Sequence, residues 1–261
     1  MRSNLAFVSV LMGGLAATAV PANALPVTYT GSQGSLAASV SFEVSGSNLI
    51  VNLTSTSSAD ILNPASVLTG FGFDIAGNPT LTRTSAVLAG GSTVFYDPDG
   101  QPAGGVVGGE WAYKSGISFQ GATQGISSSG LGLFGPGDRF PGANLAGPDS
   151  PNGLQYGLLS AGDNSATGNG GITGSGGLIK NSVVFALSGL PNTFNIFADI
   201  SYVVFQYGIS LDEPHFAGTC TSNCEPPPPP PPPQVMEPAS LALLGTGLIG
   251  YGTMWRRRRR S

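Results

Sequence analysis

The sequence predicts an all-β fold, an antiparallel β-sandwich or jelly-roll-like domain with long glycine-rich loops. The first observation is a period of two, because polar and apolar residues alternate over residues 39–44 and, after a turn at 45–48, again at Leu49, Val51 and Leu53. The second is the frequency of chain-breaking residues, with 40 glycines and 21 prolines. The third is the lack of a convincing amphipathic helical pattern between the candidate strands. The alternating segment therefore predicts a β-hairpin with one buried face.

Further segments rich in β-branched and aromatic residues are bounded by Gly, Pro, Asn or Asp, which is typical of strands joined by turns. The additional predicted strands are residues 67–75, 80–88, 93–96, 110–119, 178–188 and 193–207. Glycine is especially frequent in residues 121–177. We expect long surface loops in that middle stretch.

The first 24 residues have the organisation of a secretory signal peptide. Arg2 precedes an uncharged apolar run at residues 5–19, and Ala22 and Ala24 form a small-x-small cleavage site. This order predicts export through the Sec translocon and cleavage by signal peptidase before Leu25. The alternative is that the apolar run stays as a permanent N-terminal membrane helix.

The last 27 residues, 235–261, combine a short motif, an apolar run and a basic block. In order these are Val235, Met236, Glu237 and Pro238, then uncharged residues 239–255, then Arg256, Arg257, Arg258, Arg259 and Arg260. A helix of seventeen residues is about 25 Å long, slightly less than the ~30 Å hydrocarbon core of a bilayer. The arginines should remain in the cytoplasm. The residues before Glu237 should then lie outside the inner membrane.

This C-terminal segment resembles the PEP-CTERM sorting signal of Gram-negative bacteria, with Met236 standing where that motif has its first proline. The resemblance covers only the segment. It implies transient anchoring in the inner membrane with the domain in the periplasm, and cleavage by an exosortase. The mature protein would then be at the cell surface or secreted. The resemblance also implies association with exopolysaccharide, biofilm or extracellular matrix.

Composition separates a β domain at residues 25–219 from a stalk at residues 220–234. The stalk holds Cys220 and Cys224, which are the only cysteines, and a polyproline run at residues 226–233. In an oxidising compartment the neighbouring cysteines favour a local disulfide, with a metal or redox pair as the alternative. The proline run should form a stiff spacer of about 25 Å, with an SH3-type ligand as the alternative.

The exported part of the chain is acidic. Six of the ten basic residues lie in the two terminal segments, so residues 25–237 contain four basic residues against all fourteen acidic ones, a formal charge of −10. Four scattered cations cannot neutralise a run of phosphates, and nucleic-acid binding is therefore not expected. Adsorption to an anionic membrane surface is disfavoured for the same reason.

Few side chains are suited to catalysis. His215 is the only histidine, so it can support neither a histidine zinc site nor, without further partners, a catalytic triad. We expect it to hydrogen-bond a nearby loop. Glu43, Glu110 and Glu213 could in principle serve a carbohydrate hydrolase, but nothing marks a pair, and Glu43 looks like an edge or surface charge. We predict a non-enzymatic surface or matrix protein, with a carboxylate-dependent carbohydrate-active enzyme as the alternative.

Calcium is the one cofactor that the sequence suggests. Asp97 and Asp99 precede a glycine, as in calcium loops, and Asp212 and Glu213 could supply remote ligands. The same Asp-Pro-Asp-Gly sequence also favours a type I turn, and we expect a turn here and not a calcium site. Four aromatic side chains offer faces for sugar stacking, but a stripe of this kind is more often core or rim packing: Trp111, Tyr113, Phe119 and Tyr156.

Overall fold

The computed structural model describes residues 25–96 and 100–224, all of which belong to one compact unit. Apart from single 3₁₀ turns, the described residues form thirteen strands and two one-turn helices. In chain order these are β1 (Val27–Gln33), β2 (Leu36–Ser45), β3 (Asn48–Ser55), β4 (Leu68–Ile75), β5 (Thr82–Leu88), β6 (Thr93–Phe95), β7 (Ala112–Phe119), β8 (Ala122–Ser127), β9 (Leu158–Leu159), α1 (Gly170–Thr173), β10 (Leu178–Lys180), β11 (Ser182–Ser188), α2 (Ile196–Asp199), β12 (Ile200–Tyr207) and β13 (His215–Ser222).

The strands join into one nearly closed sheet that folds back on itself. Its order is β5-β11-β3-β2-β1-β13-β12-β4-β9-β10-β6, with β8 also paired to β4 and β7 paired to β8. Among the described strands only β9 and β10 pair in parallel, and the chain between them contains α1, as a parallel connection requires a crossover. The predicted all-β class is confirmed.

The predicted hairpin is formed by β2 and β3. Their register places Ser45 opposite Asn48, which leaves Gly46 and Ser47 as a two-residue turn. Gly46 has φ of 62°, a conformation that glycine adopts without steric cost. On β2, Val40 and Phe42 point into the core and are fully buried. The period of two therefore predicted both the strands and their buried face.

The core lies between the two halves of the folded sheet. Phe42 of β2 packs against Phe71 and Phe73 of β4, with ring centroids 6.3 and 5.4 Å apart. Trp111, just before β7, packs against Phe185 of β11 at 5.1 Å. Buried aromatic side chains of this kind remove a large apolar area from water. These contacts hold the halves together as in a sandwich.

The expectation of surface loops throughout residues 121–177 is wrong for β8, which pairs with β4 on one side and β7 on the other. Its glycine serves close packing: a Cβ atom on Gly125 would overlap the ring of Phe119. On the neighbouring strand, a Cβ atom on Gly72 would lie 2.8 Å from Cβ of Ala122. Glycine in this region therefore indicates tight contact between strands as well as turns.

Two predicted strands are interrupted. Residues 178–188 form β10 and β11, which are separated at Asn181, where φ is 95°. Residues 193–207 begin with α2 before β12 starts. Asn195 caps α2 by accepting a hydrogen bond from the backbone N–H of Phe197 at 3.0 Å. Asparagine thus marks the break in one segment and the helix start in the other.

The domain continues past the predicted boundary at residue 219. Strand β13 pairs with β1, with Cys220 opposite Tyr29 and Ser222 opposite Thr28. Cys220 is bonded to Cys224 with their Cα atoms 5.7 Å apart. The sequence did not indicate this because most residues of β13 are small or polar and do not alternate with large apolar ones. The disulfide therefore lies at the end of a strand of the sheet.

Several predicted features lie outside the described residues. These are the signal segment with Ala22 and Ala24, the pair Asp97 and Asp99, the polyproline run, and the C-terminal segment from Val235 to the arginine block. Within residues 25–96 and 100–224, no helix combines the length and apolar character needed to cross a membrane.

Candidate functional site

A cavity of about 620 Å³ opens beside β5 and β7. It contains Arg83, Lys114 and Arg139, which are three of the four lysine and arginine residues in the described part of the chain. We call this cavity the basic groove. Its lining residues are Thr80, Leu81, Thr82, Arg83, Tyr113, Lys114, Ser115, Asp138, Arg139 and Pro141.

Hydrogen bonds to backbone carbonyls orient two of these cations. Nη1 of Arg83 donates to the carbonyl oxygen of Tyr113 at 3.0 Å. Nζ of Lys114 donates to the carbonyl oxygen of Leu133 at 3.0 Å. Because a guanidinium has five N–H donors and an ammonium has three, both groups retain donors for a ligand. Their side chains are 33% and 42% exposed.

The third cation, Arg139, is held by its own loop. Its Nε donates to the carbonyl oxygen of Pro136 at 3.1 Å, and its Nη1 donates to Oδ1 of Asn144 at 3.2 Å. The next residue, Phe140, donates its backbone N–H to the carbonyl oxygen of Trp111 at 2.8 Å. The loop is thereby attached to the start of β7, which keeps Arg139 at the groove.

One carboxylate, that of Asp138, is present among the described lining residues. Its oxygens lie 3.9 Å from Nη1 of Arg83 and 3.4 Å from Nζ of Lys114. Oδ2 also accepts a hydrogen bond from the backbone N–H of Gly135 at 3.0 Å. A single carboxylate among three cations leaves an excess of two positive charges. The groove is therefore locally positive on an otherwise acidic chain.

The wall of the groove depends on the residues just before β7. A Cβ atom on Gly108 or Gly109 would overlap the carbonyl oxygens of Pro141 and Ala143, respectively. Only glycine lets the backbone after Arg139 lie against this turn. The next residue, Glu110, is fully buried.

Glu110 ties down the following part of the same loop. Its carboxylate accepts hydrogen bonds from the backbone N–H groups of Leu145 and Ala146, the latter at 3.2 Å, and from the hydroxyl of Ser150. A buried carboxylate is tolerated when donors surround it in this way. Glu110 therefore has a structural function in the loop, and its partners, 35 to 40 residues later in the chain, were not predictable from local sequence.

The other residues considered for catalysis, which are Glu43, Glu213 and His215, lie on other parts of the fold than Glu110. Glu43 is on β2, an inner strand, so it is a surface charge and not an edge charge. Glu213 accepts hydrogen bonds from the backbone N–H groups of Ile209 and Ser210, the latter at 2.8 Å. His215 is exposed, with Nδ1 3.0 Å from the carbonyl oxygen of Glu213. The expected hydrogen bond between His215 and a nearby loop is confirmed.

The four aromatic side chains considered for sugar stacking belong to the interior. Trp111, Tyr113, Phe119 and Tyr156 are all at least nine-tenths buried. The hydroxyl of Tyr113 donates to Oε1 of Gln124 at 2.8 Å, as a buried phenol requires a partner. Their rings therefore pack in the core, as the sequence pattern more often indicates.

A carboxylate pair that sequence reasoning missed is formed by Asp60 and Asp163. Asp60 accepts hydrogen bonds from the Thr167 hydroxyl and from the backbone N–H of Asn164, the latter at 2.9 Å. Oδ1 of the buried Asp163 accepts from the backbone N–H of Ile61 at 2.8 Å, while its Oδ2 has no partner. The hydrogen bond from Thr167 lowers the pKa of Asp60, whereas burial raises the pKa of Asp163.

Because burial raises the pKa of Asp163, its neutral carboxyl is favoured more strongly than that of a free aspartate. Unequal carboxyl groups can serve acid–base chemistry. Here, however, Asp163 is 4% exposed, and the pair connects two loops that are about 100 residues apart in sequence. We interpret the pair as a structural link.

We expect Asp163→Asn to be at least as stable as the wild type at pH 7, because asparagine keeps the acceptor for Ile61 and offers an N–H in place of the acid proton. A carboxyl whose pKa is raised by folding stabilises the protein below its unfolded value of 3.8 and loses this contribution as pH rises through the folded value. Urea unfolding from pH 4 to 7 should therefore show the wild type losing stability relative to the variant.

Asp163→Ala is the control for this experiment, because it removes the acceptor for Ile61 and should destabilise the protein at every pH. An asparagine variant as unstable as the alanine variant throughout would show that the ionised carboxylate is required. Asp60, whose pKa is lowered, contributes stability that is present above pH 3.8 and is lost as pH falls through its folded value, and it is present in the wild type and in both variants.

Metal binding is not indicated in the part of the chain that the structure describes. There, no three His, Cys, Asp or Glu side chains are grouped so that they could hold a metal ion. Glu213, considered as a remote calcium ligand, uses one carboxylate oxygen for its own loop. Calcium binding through Asp97 and Asp99 stays a prediction, because both lie outside the described residues.

Comparison with known proteins identifies the end of the chain. Neither a curated protein nor a solved structure matches this chain. A family model, described as the PEP-CTERM protein-sorting motif, matches residues 237–259. The match begins at Glu237 and covers the apolar run and the first four arginines. This chain is therefore a protein with a PEP-CTERM sorting motif, an exported substrate of an exosortase.

Proposed function

We propose that this is a non-enzymatic protein of the cell surface or extracellular matrix that associates with exopolysaccharide or biofilm after exosortase processing. The observation that carries the proposal is the sorting motif at residues 237–259. The motif supports an export route whose last step would be cleavage of the anchor. The function of the delivered domain would then be to bind other matrix components.

The proposed route begins with the N-terminal segment. Its charge, apolar run and small-residue site favour Sec export and signal-peptidase cleavage. The precursor would then be held in the inner membrane by residues 239–255, with the β domain in the periplasm and the arginines in the cytoplasm. Cleavage near Glu237 would release the domain and its proline-rich stalk from this anchor.

The arrangement of carboxylates supports a binding function over hydrolysis. A glycosidase needs two carboxyl groups about 5–10 Å apart across the scissile bond. In the basic groove the described lining residues supply Asp138 alone. Glu110 and Glu213 are each hydrogen-bonded to neighbouring loops, and Asp163 is buried. The residues of the groove are therefore suited to recognising an anion.

The predicted mature chain runs from Leu25 to Met236 or Glu237. Intact-mass analysis of the exported protein should give a mass without residues 1–24 and without the arginine block. A mature protein that still carries Arg256 to Arg260, in cells with an active exosortase, would contradict the proposed processing.

Neutral replacement of the five arginines is the matched variant for this experiment. It removes the charge that orients the apolar run and leaves the residues before it unchanged. Uncleaved precursor should accumulate beyond the inner membrane, as measured by immunoblot of cell fractions. The same replacement at Arg83 is the control, because it also removes positive charge but lies in the β domain, and processing should be normal.

A further inference from the structure

We propose that the basic groove is a binding site for carboxylate-bearing sugar units of an acidic polysaccharide. The proposal rests on the proposed matrix function and names the ligand class for it. The observation behind it is that Arg83, Lys114 and Arg139 line the same cavity in the described part of the chain. These residues come from β5, from β7 and from the loop after β8, so the fold brings them together.

The grouping of these three cations matters because the rest of the exported chain is acidic. Residues 25–237 carry a formal charge of −10, so most of the surface repels an anionic chain. A local excess of two positive charges would attract a short anionic stretch at this place only. Exposed charges are screened over about 10 Å at 0.1 M salt. Binding should therefore be local and sensitive to ionic strength.

The cations are already oriented before a ligand arrives. Arg83 and Lys114 each donate to a backbone carbonyl oxygen, at 3.0 Å in both cases. Arg139 is held through Pro136 and Asn144. Side chains that are fixed in this way lose less conformational entropy on binding. The unused N–H groups of the guanidinium ions can donate two parallel hydrogen bonds to a planar carboxylate.

The remaining lining fits sugar better than a bare ion. Thr80, Thr82 and Ser115 place hydroxyl groups in the groove, and the Ser115 hydroxyl lies 3.1 Å from that of Thr80. Leu81 and Pro141 add apolar contacts of the kind that the C–H groups of a sugar ring make. The volume of about 620 Å³ lies within the ~300–1,000 Å³ typical of ligand sites.

The test is titration of the purified protein with oligogalacturonate in calcium-free buffer at low ionic strength. The fully methyl-esterified oligomer is the matched ligand, because it keeps the sugar and removes the charge. We expect binding of the acidic oligomer, at least tenfold weaker binding of the ester, and loss of binding at about 0.5 M salt. Absence of binding to the acidic oligomer, or equal binding of the ester, would overturn the proposal.

The double variant Arg83→Gln with Arg139→Gln should weaken binding at least tenfold, since it removes charge-assisted hydrogen bonds to the carboxylate. Lys180→Gln is the matched control, because it removes the fourth cation, which does not line the groove. Its affinity should change less than twofold. Lys114→Gln provides a second groove variant if the double variant does not fold, as judged by its thermal melt.

Other outcomes also decide the question. Equal affinity for free galacturonate and the oligomer would show a site for small anions and contradict the polysaccharide assignment. Tighter binding of single-stranded DNA would contradict it in favour of nucleic acid. A failure of ligand binding in the groove can be distinguished from a failure of the proposed export, because the mass of the processed protein does not depend on ligand binding.

Discussion

Replacing Glu110 with alanine should lower the free energy of unfolding by about 3 kcal/mol. The variant would leave the backbone N–H groups of Leu145 and Ala146 and the hydroxyl of Ser150 without their acceptor. It would also open a gap at a fully buried position. Urea unfolding followed by tryptophan fluorescence measures this loss, since Trp111 is the adjacent residue.

Glu110→Gln separates hydrogen bonding from charge. The glutamine carbonyl can still accept from the two backbone N–H groups, and the Ser150 hydroxyl can rotate to accept from the amide. We therefore expect a smaller loss than for alanine. Glu43→Ala is the control, because Glu43 is a partly exposed residue on β2 and should change stability by about 0.5 kcal/mol or less. Equal effects of Glu110→Ala and Glu43→Ala would contradict a structural function for Glu110.

The local pattern of the sequence predicted those parts of the fold that are determined by near neighbours. The β2–β3 hairpin follows from alternation and a short turn, and both lie within twenty residues. The sorting motif is similarly contiguous, at residues 237–259. The pairing of β1 with β13 was not predictable, since it joins residues almost 200 positions apart. Neither strand shows a strong alternation of apolar and polar residues, because many residues in both are glycine, serine or threonine.

The basic groove shows the same limit at the level of the site. Arg83, Lys114 and Arg139 are 31 and 25 positions apart, and nothing in their neighbourhoods links them. The composition offered one signal. Lysine and arginine are so rare in residues 25–237, with four in all, that the position of each needs an explanation. Their convergence depends on β5 and β7 and on the loop after β8, which the sequence alone does not bring together.

Glycine was the most misleading residue type. Its frequency predicted loops, and many of its positions are turns, such as Gly46. At Gly108 and Gly109, in contrast, its small size allows two backbone segments to touch. Sequence alone does not distinguish these uses, because both require the same absence of a side chain.

Gly109→Ala should destabilise the protein by about 3 kcal/mol or more, the upper end of the cost of overpacking. The added Cβ would overlap the carbonyl oxygen and carbon of Ala143, and backbone atoms cannot move aside as a flexible side chain would. The loop after Arg139 would have to shift away from β7. We therefore expect weaker binding of oligogalacturonate as well as a lower midpoint in urea.

Gly90→Ala is the matched control for this substitution. A Cβ atom there would have nothing within 4 Å, and Gly90 does not have a positive φ. Its replacement should be neutral or stabilise the protein by about 0.4–1 kcal/mol, because alanine has fewer unfolded conformations than glycine. If Gly109→Ala were as stable as Gly90→Ala, the close approach of residue 143 to residue 109 would be wrong. Arg139 would then not owe its place in the basic groove to this contact.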